Sequence, residues 1–138
     1  MRAFLALVLA LATVATVSGP AAAQPVGDVF RSAVHSVVVI RAKGRDISAG
    51  GQVRFHETGA GVLISADGKV MTAAHVVHAM DEITVEFVGG ERVPARVVAS
   101  EPAADLSLLQ LDKVPTGAMV AKMSNSDGIR VGDQVLIV

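Results

Sequence analysis

Two short segments of this sequence carry side chains that together can do acid–base chemistry. His75 lies in the stretch TAAHVV, and Asp105 begins an apolar stretch 30 residues later. In a nucleophilic hydrolase, a histidine accepts the nucleophile's proton through one ring nitrogen, while a carboxylate holds the other ring N–H and stabilises the imidazolium. His75 and Asp105 are therefore candidates for the general base and the orienting carboxylate. By residue type alone the pairing is weak, since the chain holds 4 histidines and 13 acidic residues.

The elements that must position these side chains are mostly short strands. Asp67-Gly68 and Gly89-Gly90 lie between apolar runs and predict tight hairpins. The polar, glycine-bearing residues 44–51 predict a loop, and Pro94 predicts an edge position or a bulge. A short amphipathic helix is predicted over 24–33, and strands over 37–41, 52–55, 61–65, 69–72, 83–88, 92–99, 106–111 and 131–138. This organisation predicts an all-β fold, either an antiparallel barrel or a sandwich.

Composition excludes several classes of protein. A length of 138 residues allows one ordinary domain, and the net charge of −1 argues against a strongly basic nucleic-acid binder. The chain has no cysteine, which excludes both a disulfide-stapled miniprotein and a thiolate metal site. We expect no nucleic-acid partner.

Residues 1–23 have the pattern of an export signal peptide. Arg2 supplies the positive start, an apolar run follows, and Gly19-Pro20 ends it. Three alanines (21–23) then offer a cleavage site before Gln24. A retained membrane anchor is the alternative, but the run ends before the roughly 20 apolar residues that a span needs. We expect cleavage, export to the periplasm or out of the cell, and no membrane partner afterwards.

Several motifs follow one another in an order that is typical of one family. They are GAGVLISADG (59–68), TAAHVV (72–77), DEITV (81–85), ADLSLLQL (104–111), SNSD (124–127) and VGDQV (131–135). Together they resemble the amino-terminal half of a trypsin-like serine protease, specifically the bacterial HtrA/Deg family. The resemblance implies a fold of two barrels with the catalytic groups in the cleft between them. It also implies that His75 is the general base and Asp105 its orienting carboxylate.

The family's nucleophile motif, Gly-Asn-Ser-Gly-Gly in the second barrel, has no counterpart in this sequence. Ser124 and Ser126 lack the glycines that shape an oxyanion hole, so neither is a candidate nucleophile. We expect residues 24–138 to be the amino-terminal part of the protease domain, truncated before the nucleophile and inactive in isolation. The apolar run at 135–138, with no polar tail after it, fits this expectation.

The resemblance also implies substrates and assembly. Unfolded or misfolded proteins and peptides are the expected substrates once a second barrel completes the site. No metal or organic cofactor is expected, because acyl transfer of this kind needs none. Family members often assemble into trimers, but these residues alone leave the oligomeric state and any PDZ module undetermined.

Other interpretations are weaker. His75 and His78 stand three apart and can share a metal on one helical turn, with Asp81 as a third ligand, but the spacing of known zinc motifs is absent. The glycines at 59 and 61 precede a strand and not a helix, which disfavours a dinucleotide loop. The alternative function is a non-catalytic remnant of a trypsin-like fold that binds peptides or a partner. An open reading frame after Val138 that reaches Gly-x-Ser-Gly-Gly would favour the protease, and an immediate stop would favour the remnant.

Overall fold

The computed structural model describes residues 26–48 and 51–138, so the predicted signal peptide lies outside the described residues. The chain enters through helix α1 (Val26–Ala33) and a 3-10 turn (Val34–Ser36). The remaining helix, α2, is a single turn (Ala74–Val77). The strands are β1 (Val37–Ser48), β2 (Gly51–Leu63), β3 (Lys69–Thr72), β4 (Glu82–Glu86), β5 (Arg92–Glu101) and β6 (Leu106–Leu111).

The six strands close into an antiparallel barrel. Their order around the barrel is β1-β2-β3-β6-β5-β4, and β4 pairs back onto β1. Inward residues alternate along the strands, as in β1, where Val38, Ile40 and Ala42 are buried. Buried valine, leucine and isoleucine side chains from all the strands meet in one core. The predicted all-β barrel with a short amino-terminal helix is therefore confirmed.

Both predicted hairpin turns are present. The N–H of Gly68 donates to the carbonyl of Ser65 at 3.1 Å, and the N–H of Gly90 donates to the carbonyl of Phe87 at 2.7 Å. Both glycines have positive φ, 90° and 82° respectively, a backbone conformation that side chains with a Cβ rarely adopt. These turns join β2 to β3 and β4 to β5.

The predicted loop over 44–51 is wrong for residues 44–48 and 51, which lie in strands. β1 runs to Ser48 and β2 begins at Gly51, and the two strands pair from Val37 opposite Val62 to Ser48 opposite Gly51. Beyond the barrel they project as a two-stranded arm, in which Ile47 and Val53 are exposed. Because most side chains on the arm are exposed, it lacks the alternation of apolar and polar residues that marks a half-buried strand.

Two further expectations need correction. Residues 131–138 form no strand and are exposed along their whole length. The bulge in β5 lies between Val97 and Ala99, away from Pro94. The carbonyl of Pro94 accepts from the N–H of Asp112 at 3.0 Å, and Asp112 is the first residue after β6. Because Pro94 lies opposite the end of β6, the N–H that it lacks costs no bond within the β5–β6 ladder.

Candidate active site

His75 is held at the end of β3 by a helix whose other residues are buried. Ala73 is extended, and the single turn of α2 follows it. Ala74, Val76 and Val77 pack into the core, which leaves His75 as the exposed residue of the turn. Three apolar anchors therefore fix the backbone from which the imidazole projects.

Asp105 is placed by a tight turn between β5 and β6. A 3-10 turn (Pro102–Ala104) leads into it, and the carboxylate of Glu101 accepts from the N–H of Ala103 at 3.3 Å. Asp105 itself has a left-handed backbone, with φ 50° and ψ 44°. Aspartate adopts this conformation more readily than most residues, and it reverses the chain immediately before β6 begins.

The two side chains meet across the rim of the barrel. Nδ1 of His75 lies 2.8 Å from Oδ2 of Asp105. The second carboxylate oxygen, Oδ1, accepts from the backbone N–H of His75 at 2.9 Å. Asp105 thus holds both the ring and the backbone of His75, which sets the angle of the imidazole as well as its distance.

The electrostatics of the pair assign its tautomer. The backbone N–H and then the side chain of His75 hold the pKa of Asp105 below its ordinary value. An ionised carboxylate can only accept, so Nδ1 carries the proton in the neutral imidazole and Nε2 presents a lone pair. Among the described residues no group hydrogen-bonds Nε2. In this tautomer Nε2 is the ring nitrogen that can accept a proton.

The pair lies on an open face of the molecule. The side chains of His75 and Asp105 are 70% and 53% exposed. Water screens their charges at this exposure, so the pairing is weaker here than it would be in an enclosed cleft.

Gly59 allows β2 to pass close to the histidine turn, and Gly61 allows it to pack closely against Ile40 of β1. A Cβ on Gly59 would lie 2.5 Å from Cγ2 of Val76, and a Cβ on Gly61 would lie 2.8 Å from Cδ1 of Ile40. Both distances are too short for real contacts. Both glycines therefore allow close packing of β2, which a Cβ at either position would obstruct.

Sequence reasoning missed two features around the pair. One is the backbone N–H of His75 as a donor to Asp105, for which the sequence carries no signal. The other is a pair of buried hydroxyls, Thr72 and Ser107. These stand at inward positions of strands that otherwise place aliphatic residues there, so the alternation could have identified them.

The remaining candidate residues make no hydrogen bond to the pair in the described part of the chain. His78 follows the end of α2 and is exposed, and Asp81 is bound by Arg45 at 3.1 Å. The described part of the chain holds no cluster of three or more metal-ligating side chains. Ser124 and Ser126 lie in an exposed stretch without helix or strand. Among the described helices, neither length nor apolar character is sufficient for crossing a membrane.

Comparison with known proteins identifies the class to which this barrel and its His–Asp pair belong. The family model of the trypsin-like peptidase domain matches residues 59–138. That match covers more than half of the chain, so the protein belongs to the trypsin-like peptidase family.

Its relatives within that family are HtrA/Deg proteases. The chain is 37% identical over 90 residues to the periplasmic serine endoprotease DegP of Escherichia coli strain K12, covering 64% of this chain and 19% of DegP. It is 39% identical over 80 residues to a probable periplasmic serine protease do/HhoA-like of Haemophilus influenzae, covering 57% of this chain and 17% of the relative. The chain thus spans about a fifth of the length of these curated relatives.

Solved structures agree with this assignment. A variant of the HtrA-type protease AlgW with a decapeptide superposes with a TM-score of 0.71 at 25% identity, covering 78% of this chain and 38% of AlgW. The HtrA-type protease AlgW with a tripeptide gives a TM-score of 0.64 at 27% identity, covering 78% of this chain and 32% of AlgW.

Proposed function

We propose that this chain is the amino-terminal part of an exported serine endopeptidase, with His75 as its general base and Asp105 as the carboxylate that orients it. One observation carries the proposal: Nδ1 of His75 is bound to Asp105 at 2.8 Å, which leaves Nε2 as the proton acceptor. Membership of the trypsin-like peptidase family supports the same two roles.

The reaction is an acyl transfer of two half-reactions, in each of which His75 transfers one proton from the nucleophile to the leaving group. As a serine hydroxyl attacks the peptide carbonyl, Nε2 takes its proton, and the imidazolium is stabilised by ionised Asp105. The imidazolium then gives the proton to the leaving amine. In the second half-reaction, water attacks the acyl-enzyme, Nε2 takes the proton of that water, and the imidazolium returns a proton to the serine oxygen as the acyl group leaves. Because Asp105 also binds the backbone of His75, the ring keeps its orientation through both transfers.

The nucleophile is proposed to come from a second barrel that these 138 residues do not include. No serine in the sequence lies in a Gly-x-Ser-Gly-Gly motif, and Ser124 and Ser126 lie far along the chain in an irregular exposed stretch. We therefore propose that residues 24–138 form the amino-terminal part of the protease domain and have no proteolytic activity alone.

Substrates and location follow from the relatives. The matched DegP and do/HhoA-like proteins are named as periplasmic, and AlgW was solved with peptides. We propose unfolded or misfolded proteins and peptides as substrates and a bacterial periplasm as the location. Cleavage of residues 1–23 would leave Gln24 as the mature amino terminus, which intact-mass analysis of the exported protein measures.

The test of activity uses the chain alone first. Incubated with unfolded casein and an active-site fluorophosphonate probe, the 138-residue chain should cleave nothing and label on no serine. Labelling of any serine in it would overturn the proposal that the nucleophile lies elsewhere.

The second arm tests the two catalytic roles in the product of the whole gene. If the reading frame continues through a Gly-x-Ser-Gly-Gly motif, His75→Gln should lower kcat for casein by about 10⁶-fold and Asp105→Asn by about 10⁴-fold. Asparagine tolerates the left-handed backbone at 105, so the second change removes charge without removing the turn. His78→Gln, at the neighbouring exposed histidine, is the matched control and should leave kcat unchanged. Undiminished cleavage by His75→Gln would overturn the assignment.

A further inference from the structure

Two buried hydroxyl groups face each other across β3 and β6, next to the residues that carry the His–Asp pair. Thr72 is the last residue of β3 and pairs with Ser107, the second residue of β6. Thr72 precedes His75 by three residues, and Ser107 follows Asp105 by two. Both residues are buried.

Each hydroxyl is bound to a further strand. Oγ1 of Thr72 donates to the carbonyl of Ala60 in β2 at 2.8 Å. Oγ of Ser107 lies 2.7 Å from Oγ of Ser100 in β5. Together the two bonds form a hydroxyl row, defined here as Thr72, Ser107, Ser100 and the carbonyl of Ala60, which runs across β2, β3, β6 and β5.

Packing alone does not explain why hydroxyls occupy these two positions. Valine at 72 and alanine at 107 would fill the same inward positions, whereas each hydroxyl also forms one bond to a specific atom of a neighbouring strand. The hydroxyls therefore contribute something other than burial. A bond between specific atoms differs from apolar contact in that it is lost when the strands shift.

The register of β3, which leads into the turn that carries His75, is held by few backbone pairs. β3 has only four residues and pairs with β2 at three positions and with β6 at four. A shift of two residues keeps every inward side chain inward, so apolar alternation does not exclude it. Such a shift of β3 against β2 would break the bond of Thr72 to Ala60, and such a shift of β6 against β5 would break the bond of Ser107 to Ser100. Either shift would move His75 by about 7 Å along the strand direction relative to Asp105.

We propose that Thr72 and Ser107 are positioning residues. The bond of Thr72 to β2 and the bond of Ser107 to β5 fix where His75 lies along the strand direction relative to Asp105. Neither residue touches substrate or the reacting atoms. The proposal rests on the proposed function for the catalytic role of the His–Asp pair. What it predicts, the distance and orientation between the two side chains, can be tested without measuring proteolysis.

The test measures that geometry by NMR in the full chain. The pKa of Asp105 is lowered by the backbone N–H and the ring of His75, so it reports how closely the two residues approach. In Thr72→Val, which keeps the shape and removes the hydroxyl, the pKa of Asp105 should rise toward its ordinary value. The downfield Nδ1–H resonance of His75 should weaken in the same variant. Thr72→Ser restores the hydroxyl and should restore both signals.

The matched control is Ser36→Ala. Ser36 is also buried and donates to a backbone carbonyl, that of Ala33, at 2.7 Å, but it lies before β1 and its hydroxyl bonds to neither β3 nor β6. It should leave the titration of Asp105 and the Nδ1–H resonance as they are in the wild type. If Ser36→Ala moved them as much as Thr72→Val does, the effect would be general loosening of the barrel, and the proposal would be wrong.

A second variant covers the case in which Thr72→Val fails to fold. Ser100→Ala removes the partner of Ser107 from an exposed position of β5 and should raise the pKa of Asp105 in the same direction. If Thr72→Val folds and Asp105 titrates in it as in the wild type, the positioning role is wrong and the proposed protease reaction is unaffected. The same conclusion holds for Ser100→Ala if only that variant folds. Proteolysis that persists in His75→Gln overturns the reaction and leaves the NMR result intact.

Discussion

The barrel and the carboxy-terminal segment, defined here as residues 112–138, carry similar apolar side chains in opposite surroundings. Ile40 in β1 is fully buried, whereas Ile137 is 93% exposed. In β3 and β6 every second residue packs into the core, but the alternating residues of 131–138 all face solvent. The same residue types therefore build a core in one region and an uncovered surface in the other.

The difference shows that an apolar run becomes a strand only where neighbouring strands accept its backbone hydrogen bonds. In the closed barrel each strand has two neighbours. The carboxy-terminal segment follows the barrel only for its first part, in which the N–H of Asp112 binds the carbonyl of Pro94 and the N–H of Ala121 binds the carbonyl of Leu63 at 2.8 Å. After Ala121 no backbone hydrogen bond ties it to a strand of the described structure.

Replacing one isoleucine in each region gives the largest expected contrast. Ile40→Ala removes a fully buried side chain and leaves a cavity, so it should lower the free energy of unfolding by about 2–5 kcal/mol. Ile137→Ala, the same chemical change at an exposed position, should change it by no more than about 0.5 kcal/mol. Urea denaturation followed by circular dichroism measures both. A loss for Ile137→Ala comparable to that for Ile40→Ala would show that the segment is packed, and the comparison would be wrong.

The same contrast explains which parts of the fold the sequence could predict. The hairpins at Gly68 and Gly90 are local, because a two-residue turn signal fixes the chain reversal without reference to the rest of the molecule. The short strands of the barrel were predictable from alternation, since one of their faces is buried. The arm of β1 and β2 was missed because neither of its faces shows that pattern, and residues 131–138 were overpredicted because alternation does not reveal whether a partner strand exists.

The candidate site divides in a similar way. His75 and Asp105 could be named from the sequence because their flanking motifs resemble a known family, and the structure brings the two side chains together; their catalytic roles stay a prediction. The left-handed backbone of Asp105 and its bond to the N–H of His75 could not be predicted, because both depend on how β5 turns into β6. The hydroxyls of Thr72 and Ser107 are visible in the sequence only as polar residues at inward positions.

A glycine in each region gives the next contrast. Gly59→Ala places a Cβ 2.5 Å from a methyl of Val76, whose backbone is fixed by the buried residues of α2, so overpacking should cost about 1–3 kcal/mol. Gly128→Ala, in the carboxy-terminal segment, meets nothing within 4 Å and should stay within about 0.5 kcal/mol of the wild type. The urea midpoint measures both. Equal midpoints for the two variants would show that β2 can move away from α2 at no cost.

The smallest expected contrast concerns how the stability of the fold depends on pH. In the barrel, Oε2 of Glu86 accepts from Nε of Arg41 at 2.8 Å and from Nε of Arg92 at 3.0 Å, and these bonds hold the pKa of Glu86 below its ordinary value. A carboxyl whose pKa is lowered by folding stabilises the folded state above its unfolded pKa, and this contribution is lost as the pH falls through its folded pKa.

Glu86→Gln should therefore lower the urea midpoint at pH 7, by less than Gly59→Ala because both arginines are largely exposed. The gap to the wild type should close as the pH falls below the folded pKa of Glu86. Asp127→Asn, in the exposed carboxy-terminal segment, is the matched control and should have the wild-type midpoint at pH 7. A gap for Glu86→Gln that stayed constant into acid would mean that glutamine disturbs the packing of β4 and that the charge of Glu86 contributes nothing.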